Sequence, residues 1–281
     1  MSDLLQENTG EIEDVENTKN TESTEIEETT VVERVLTAEE VNINKDNAIR
    51  KLSALLDRYI SSPNTLKNAN NLSYWLSSYS SYLDFEKEFD STRLKSYKYG
   101  DVIKVNLGYN IGDEEGGLHY CIVIDKKNNK SSRILTVIPL TSLKEGKTIH
   151  PSTVFLGDEI YQNLKYNHDV KMAKFVKELR EILKERKSHT EFSEKDLDEE
   201  LEKLKNLTSD MEYLQKMEKE INKMKKGSIA LVNQITTISK QRIYDPQRNT
   251  DILSGLSLSD DSLKLICNKV KQLFIKNFTE N

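Results

Sequence analysis

Gly116-Gly117-Leu118-His119 is where this chain concentrates its chemistry. Histidine exchanges a proton near neutral pH, so it serves as acid or base where other side chains need strongly altered pKa values. Taken alone, His119 reads as a loop-edge histidine merely hydrogen-bonded to its surroundings. Glu114 and Glu115 precede the glycines in the same Gly-rich loop, Gly108 to Gly117. Far downstream, Lys240 and Arg242 form a basic pair of the kind that contacts phosphates; the alternative is a solvated strand end. The remaining histidines, His150, His168 and His189, share no ligand spacing. Cys121 and Cys267 form no CxxC pair and read as reduced, buried thiols of a cytosolic protein. No metal site is expected.

Short strands must carry these residues. Val102, Ile103, Val105 and Leu107 predict one; Cys121-Ile122-Val123-Ile124 and Ile134-Leu135-Thr136-Val137-Ile138 predict two buried ones around a turn at Lys126–Ser132. Thr153-Val154-Phe155 is a shorter candidate. Beta character returns at Gly227, in Ile229–Val232 and Ile235–Ile238. Close spacing and turn residues point to a small barrel or a strongly curled sheet.

Helices surround these strands. Thr37-Ala38-Glu39-Glu40 is a capping box that opens a helix carrying Ile49, Leu52, Leu55, Leu56 and Ile60, which stops at Ser62-Pro63. A second helix follows, with Leu72, Trp75, Leu76, Tyr79, Tyr82 and Leu83 on one broad face; at that spacing an aromatic stripe is core rather than a base-stacking platform. Between Tyr166 and Lys226, Val170, Ala173, Val176, Leu179 and Leu183 face a heptad-like seam, Leu197, Leu201, Leu204, Leu207, Met211, Leu214, Met217, Ile221 and Met224. This predicts an antiparallel, coiled-coil-like hairpin started near Ser193, with a longer arm of roughly 45 Å. Ser259-Asp260-Asp261 caps a last helix bearing Leu263, Ile266, Val270, Leu273, Phe274 and Phe278.

The net charge of −6 over 281 residues conceals an asymmetry. Residues 1–40 hold thirteen Asp and Glu against Lys19 and Arg34, a net of −11, which leaves the remainder at +5. A polyanionic partner is compatible with such a body. Residues 1–36 lack apolar periodicity and read as a disordered acidic tail. No apolar run reaches the roughly 18 residues of a membrane span, and the acidic start is no signal peptide.

Two stretches, Tyr99–Ser142 with its Gly112-Asp-Glu-Glu-Gly-Gly-Leu-His119 loop and Gly227–Arg242 with Asn-Gln-Ile-Thr-Thr-Ile-Ser-Lys-Gln-Arg, together resemble the MazF/PemK (Kid-like) toxins of type II toxin–antitoxin systems. The likeness spans 97–157 and 226–278. It implies an α+β fold: a small SH3-like β-barrel with a terminal helix, here split by a helical hairpin (166–225) and preceded by a helical segment (37–95). It also implies a cytoplasmic, usually homodimeric endoribonuclease that cuts single-stranded RNA by attack of the ribose 2′-hydroxyl, without metal or cofactor, is held by an antitoxin protein, and binds DNA in that complex. Carried over residue by residue, the family's catalytic Arg falls on His119 and its catalytic Thr or Ser on Thr141. Gly116, Gly117, Gln234, Lys240 and Arg242 become RNA-binding candidates, while Glu114 and Glu115 shape the neighbouring loop or meet the antitoxin. Asn233 stands where the family tends to have Glu. Exchanging Arg for His trades a permanent charge for a titratable one, so the rival reading is an inactive MazF-like module that binds RNA or protein without cutting it. A gyrase-poison relative of the same barrel fits the Gly-Gly-Leu-His and Gln-Ile-Thr-Thr-Ile segments less well. The acidic tail offers two further readings, a solubilising tail or a strand laid in the basic groove, and the hairpin's apolar seam offers a docking arm or a dimer contact.

Overall fold

Nearly continuous runs of branched apolar residues after Tyr99 form strands buried on both faces, as such runs do. In the computed structural model, which describes residues 36–143, 146, 148–188, 194–224 and 227–276, they are β1 (Val102–Asn106), β2 (Leu118–Val123), β3 (Ile134–Ser142), β4 (Val154–Phe155), β5 (Ser228–Ala230), β6 (Thr236–Ser239) and β7 (Ile243–Asp245). The acidic tail, the hairpin turn with Ser193, and Phe278 lie outside the described residues. The helices are α1 (Ala38–Ile60), α2 (Leu66–Phe85), α3 (Glu159–Ser188), α4 (Glu194–Lys223) and α5 (Asp260–Phe274). Among the described residues no helix is long and apolar enough to cross a membrane.

The chain divides into two compact units, residues 1–55 and 56–281. The first contributes most of α1, which starts as its capping box dictates: Thr37 N–H donates to the Glu40 carboxylate at 3.1 Å and Glu40 N–H to the Thr37 hydroxyl at 3.2 Å.

The second unit is an α+β assembly around one antiparallel sheet, ordered β4-β5-β3-β2-β1-β7, with β6 also on β3. The expected barrel is not closed: β4 and β7 end the path, and no ladder joins them among the described residues. β5 and β6 both run antiparallel to β3, pairing with Leu140–Ser142 and then Ile134–Val137. They act as one strand interrupted by the 3-10 turn Val232–Gln234, of which the sequence predicted only Val232 as strand; β5 itself ends at Ala230.

Strand alternation divides the apolar residues between two cores. On one face Val102, Ile122, Ile138 and Leu140 pack with Ile160 and Leu164 of α3, Met217 and Ile221 of α4, and Ile266 of α5. On the other, Ile103, Val105, Cys121, Val123, Leu135, Val137, Ile238 and Ile243 enclose Tyr97. The hairpin therefore begins at Glu159, seven residues before the expected Tyr166, because Ile160 and Leu164 belong to the sheet's core. Its seam is buried only at the base: Leu207, Leu214, Met217, Ile221 and Met224 are covered, whereas Leu197, Leu201, Leu204 and Met211 are 40–54% exposed.

A buried polar cluster ties that base to the sheet. The Glu220 carboxylate of α4 accepts from Lys104 Nζ on β1 and from the Tyr120 hydroxyl on β2, and from Lys223 Nζ at 2.9 Å. Burial pushes the Glu220 carboxyl up, but these donors outweigh it and hold the group below its ordinary value. A carboxyl lowered in the folded state stabilises fully above its unfolded pKa and loses that contribution as pH falls through the folded value. The cluster is thus intact at neutral pH and fails below the ordinary carboxylate range. Glu220→Ala leaves Lys104, only 8% exposed, without its partner, and is expected to cost about 3 kcal/mol in urea unfolding. Lys223→Ala, on a side chain 59% exposed, should stay within about 0.5 kcal/mol.

Candidate active site

The loop between β1 and β2 is pinched at its neck. Leu107 N–H donates to the Gly117 carbonyl at 2.7 Å, and Gly117 N–H donates to the Gly108 carbonyl at 2.6 Å. This closure needs both glycines. A Cβ on Gly116 would lie 2.8 Å from the Gly108 carbonyl oxygen, and Gly117 adopts φ +86°, where side chains are strained. The neck delivers His119 to β2 opposite Val105 of β1.

Both ring nitrogens of His119 meet acceptors. Nδ1 lies 3.1 Å from the Leu140 carbonyl oxygen and Nε2 lies 3.0 Å from the Glu115 carboxylate. A carbonyl and a carboxylate can only accept, so both nitrogens carry hydrogen only when the ring is a cation. The Glu115 hydrogen bond raises the His119 pKa most; burial opposes it, and the Leu140 and Gly116 backbone bonds and the Glu115 charge reinforce the rise.

Thr141 follows Leu140 on β3, half-buried and paired with Ile229. The β2–β3 ladder matches Cys121 to Pro139 and Ile122 to Ile138. That ladder ends at Cys121 and Pro139, two residues short of His119 and Thr141, and beyond it Thr141 pairs with Ile229 of β5. The His119 ring reaches the residue before Thr141 through its bond to the Leu140 carbonyl.

Gln234 reaches the same loop from the 3-10 turn. Its side-chain carbonyl accepts from Glu115 N–H and its amide donates to the Asp113 carbonyl, both at 2.8 Å. Its place is to hold the loop that holds His119. Glu114 is exposed on that loop, while Glu115 is half-buried. Leu107, Glu115, Pro139, Asn233, Gln234 and Arg242 line a groove of about 410 Å³. Arg242 Nε donates to the Asn106 carbonyl at 2.8 Å, and its guanidinium lies 5.3 Å from the Trp75 ring centre.

Lys240 does not join this group. It is 2% exposed, its ammonium donates to the Asn129 carbonyl at 3.0 Å, and burial lowers its pKa. It closes the turn before β3 and offers nothing to a phosphate. Cys121 is also interior, its thiol pushed up by burial and so kept unreactive.

Against this geometry, the family model of PemK-like, MazF-like toxins of type II toxin–antitoxin systems matches residues 98–208. Residues 98–208, under half of the chain, are thus similar to that toxin family. No curated protein matches the chain. The PemK-like match contains the pinched loop, His119 and Thr141 and runs on into α4. The second stretch of resemblance, with Gln234 and Arg242, lies beyond it, yet packs on the PemK-like segment through β3. Sequence reasoning missed Asn106 and Trp75, which position Arg242. The sole signal was Trp75 on the apolar stripe of α2.

A His119 held by two acceptors titrates above the ordinary histidine value of 6.5. Glu115→Gln removes the largest cause, so the His119 ring signal followed by NMR should titrate at lower pH in that variant. Identical curves for the two proteins would refute the Glu115 contact.

Proposed function

We propose that this protein is a toxin-family endoribonuclease that cleaves single-stranded RNA at His119 and Thr141. The observation that carries this reading is the imidazole held between the Glu115 carboxylate and the carbonyl of Leu140, the residue before Thr141. In the reaction the ribose 2′-oxygen forms a bond to phosphorus and the bond from phosphorus to the 5′-oxygen breaks. The products are a 2′,3′-cyclic phosphate and a 5′-hydroxyl. Glu115 takes the 2′-hydroxyl proton once Nε2 turns to the phosphate. His119 gives its own proton to the departing 5′-oxygen, and its Nδ1 stays on Leu140 to keep the ring in place. Thr141 donates to a phosphate oxygen, and Arg242 adds positive charge in the adjoining groove. The open, curled sheet and terminal helix formed by 97–157 and 226–278 are the nuclease body in this reading, with 37–95 and the hairpin as additions to it. Homodimerisation and capture by an antitoxin follow from the family resemblance.

His119 must be protonated to act as the acid, so the rate falls as pH rises through its elevated pKa. Full-length protein incubated with a long single-stranded RNA in EDTA should yield discrete fragments ending in cyclic phosphate. His119→Ala should lower the rate by at least a hundredfold, the usual contribution of a positioned acid. RNA that is retained but uncut by the wild-type protein would instead establish the non-cleaving binding module.

A further inference from the structure

A second cavity, of about 450 Å³, opens beside the groove, and nothing in the cleavage chemistry uses it. Its wall on one side is the outward face of α2, with Asn71 and Tyr74; on the other it is the catalytic loop, with Tyr109, Asn110, Glu114 and Gly117. Its volume falls within the roughly 300–1,000 Å³ of small-ligand sites. Trp75 forms a fixed corner: its ring lies against Gly108, where a Cβ would be 2.8 Å away, with the Arg242 guanidinium over it. Asn106 is equally committed, donating to the Tyr82 hydroxyl and accepting from Gly108 N–H. Asn110 spends its amide on the Glu115 carbonyl. On the α2 wall Asn71 and Tyr74 are both exposed, Tyr74 at 70%.

Aromatic rings, carboxamides and a carboxylate around a small cleft are what a splayed nucleobase needs, a flat face to stack on and paired donors and acceptors at its edge. A peptide strand would need backbone groups in register, whereas this cleft is walled by side chains and a closed loop. Glu114, which lines both cavities, joins it to the groove beside His119. We propose that the α2–loop cleft is a nucleobase subsite, in which Tyr74 stacks on an unpaired base next to the cleaved phosphate and Asn71 reads its edge. This rests on the endoribonuclease reading for its substrate, and it makes α2 part of the RNA-recognition surface.

The test uses full-length protein and two RNAs of one sequence, one all-ribose and one 2′-O-methylated so that it cannot be cut. Tyr74→Ala and Asn71→Ala should weaken binding of the uncuttable RNA, Tyr74→Ala about tenfold, the size of one base stack. With the cuttable RNA both should raise KM, leave kcat near wild type, and change which sites are cut first. Tyr74→Phe keeps the ring and should restore binding. Thermal unfolding checks that these exposed substitutions leave the fold intact. Wild-type cleavage with unchanged affinity and site choice in the variants overturns the subsite and leaves the nuclease standing, even if the variants lose a protein partner. Weakened binding by the variants of a wild-type protein that cuts nothing keeps the subsite and removes the nuclease. A wild-type protein that neither binds nor cuts removes both.

Discussion

Everything in the catalytic reading depends on the register between β2 and β3. Cys121 opposite Pro139 fixes which residues share a face, and a slip by one would turn every side chain over. In the observed register Ile122 and Ile138 meet the helices while Cys121 and Val137 enter the second core. Burial on both faces makes slippage costly, because it would expose one apolar set and bury Tyr120 and His119 wrongly. The same energetics that stabilise the sheet therefore bring the His119 imidazole to the Leu140 carbonyl, next to Thr141.

The loop before His119 is held from two directions, and this distinguishes a positioned histidine from a merely present one. The glycine neck ties it to β1, and Gln234 ties it to the interruption between β5 and β6. An unbroken strand there would send residue 234 along the sheet edge. The turn at Val232–Gln234 instead sends it outward to the loop. A local fault in β pairing thus becomes a brace, in keeping with the habit of bulges to re-aim side chains near sites.

Local signals were legible where one residue type has one job. Thr37 and Glu40 announced α1, Ser259 announced α5 and caps it through Ser262 N–H, and the apolar runs announced β1, β2 and β3. The apolar run predicts β3 only to Ile138, yet the strand continues through Pro139 to Ser142. Lys240 misled as well. A lysine beside an arginine reads as surface charge, and only the tertiary fold shows its ammonium folded under the 126–132 turn. The contact of Trp75 with Arg242 joins residues more than 160 positions apart and leaves no periodic trace. Spacing reports on neighbours along an element, and these are neighbours only after folding.

In the proposed endoribonuclease reading, the exchange of the family's arginine for His119 gains its meaning from Glu115. A neutral imidazole would lose the permanent charge that a phosphate site requires, and a free histidine is mostly neutral at pH 7. Here two acceptors face the two nitrogens, so the fold itself favours the cation. The ring then supplies arginine's charge together with something a guanidinium lacks, a proton it can release. In the proposed mechanism that proton is released when Glu115, 3.0 Å from Nε2, gives up its hold on the ring to the arriving phosphate. A site built this way is tied to pH in a manner an arginine site is not, and its dependence is set by a loop carboxylate whose own position is braced by Gln234. The substitution is therefore a change in how charge is held, with the loop, the 3-10 turn and the strand register all serving to hold it.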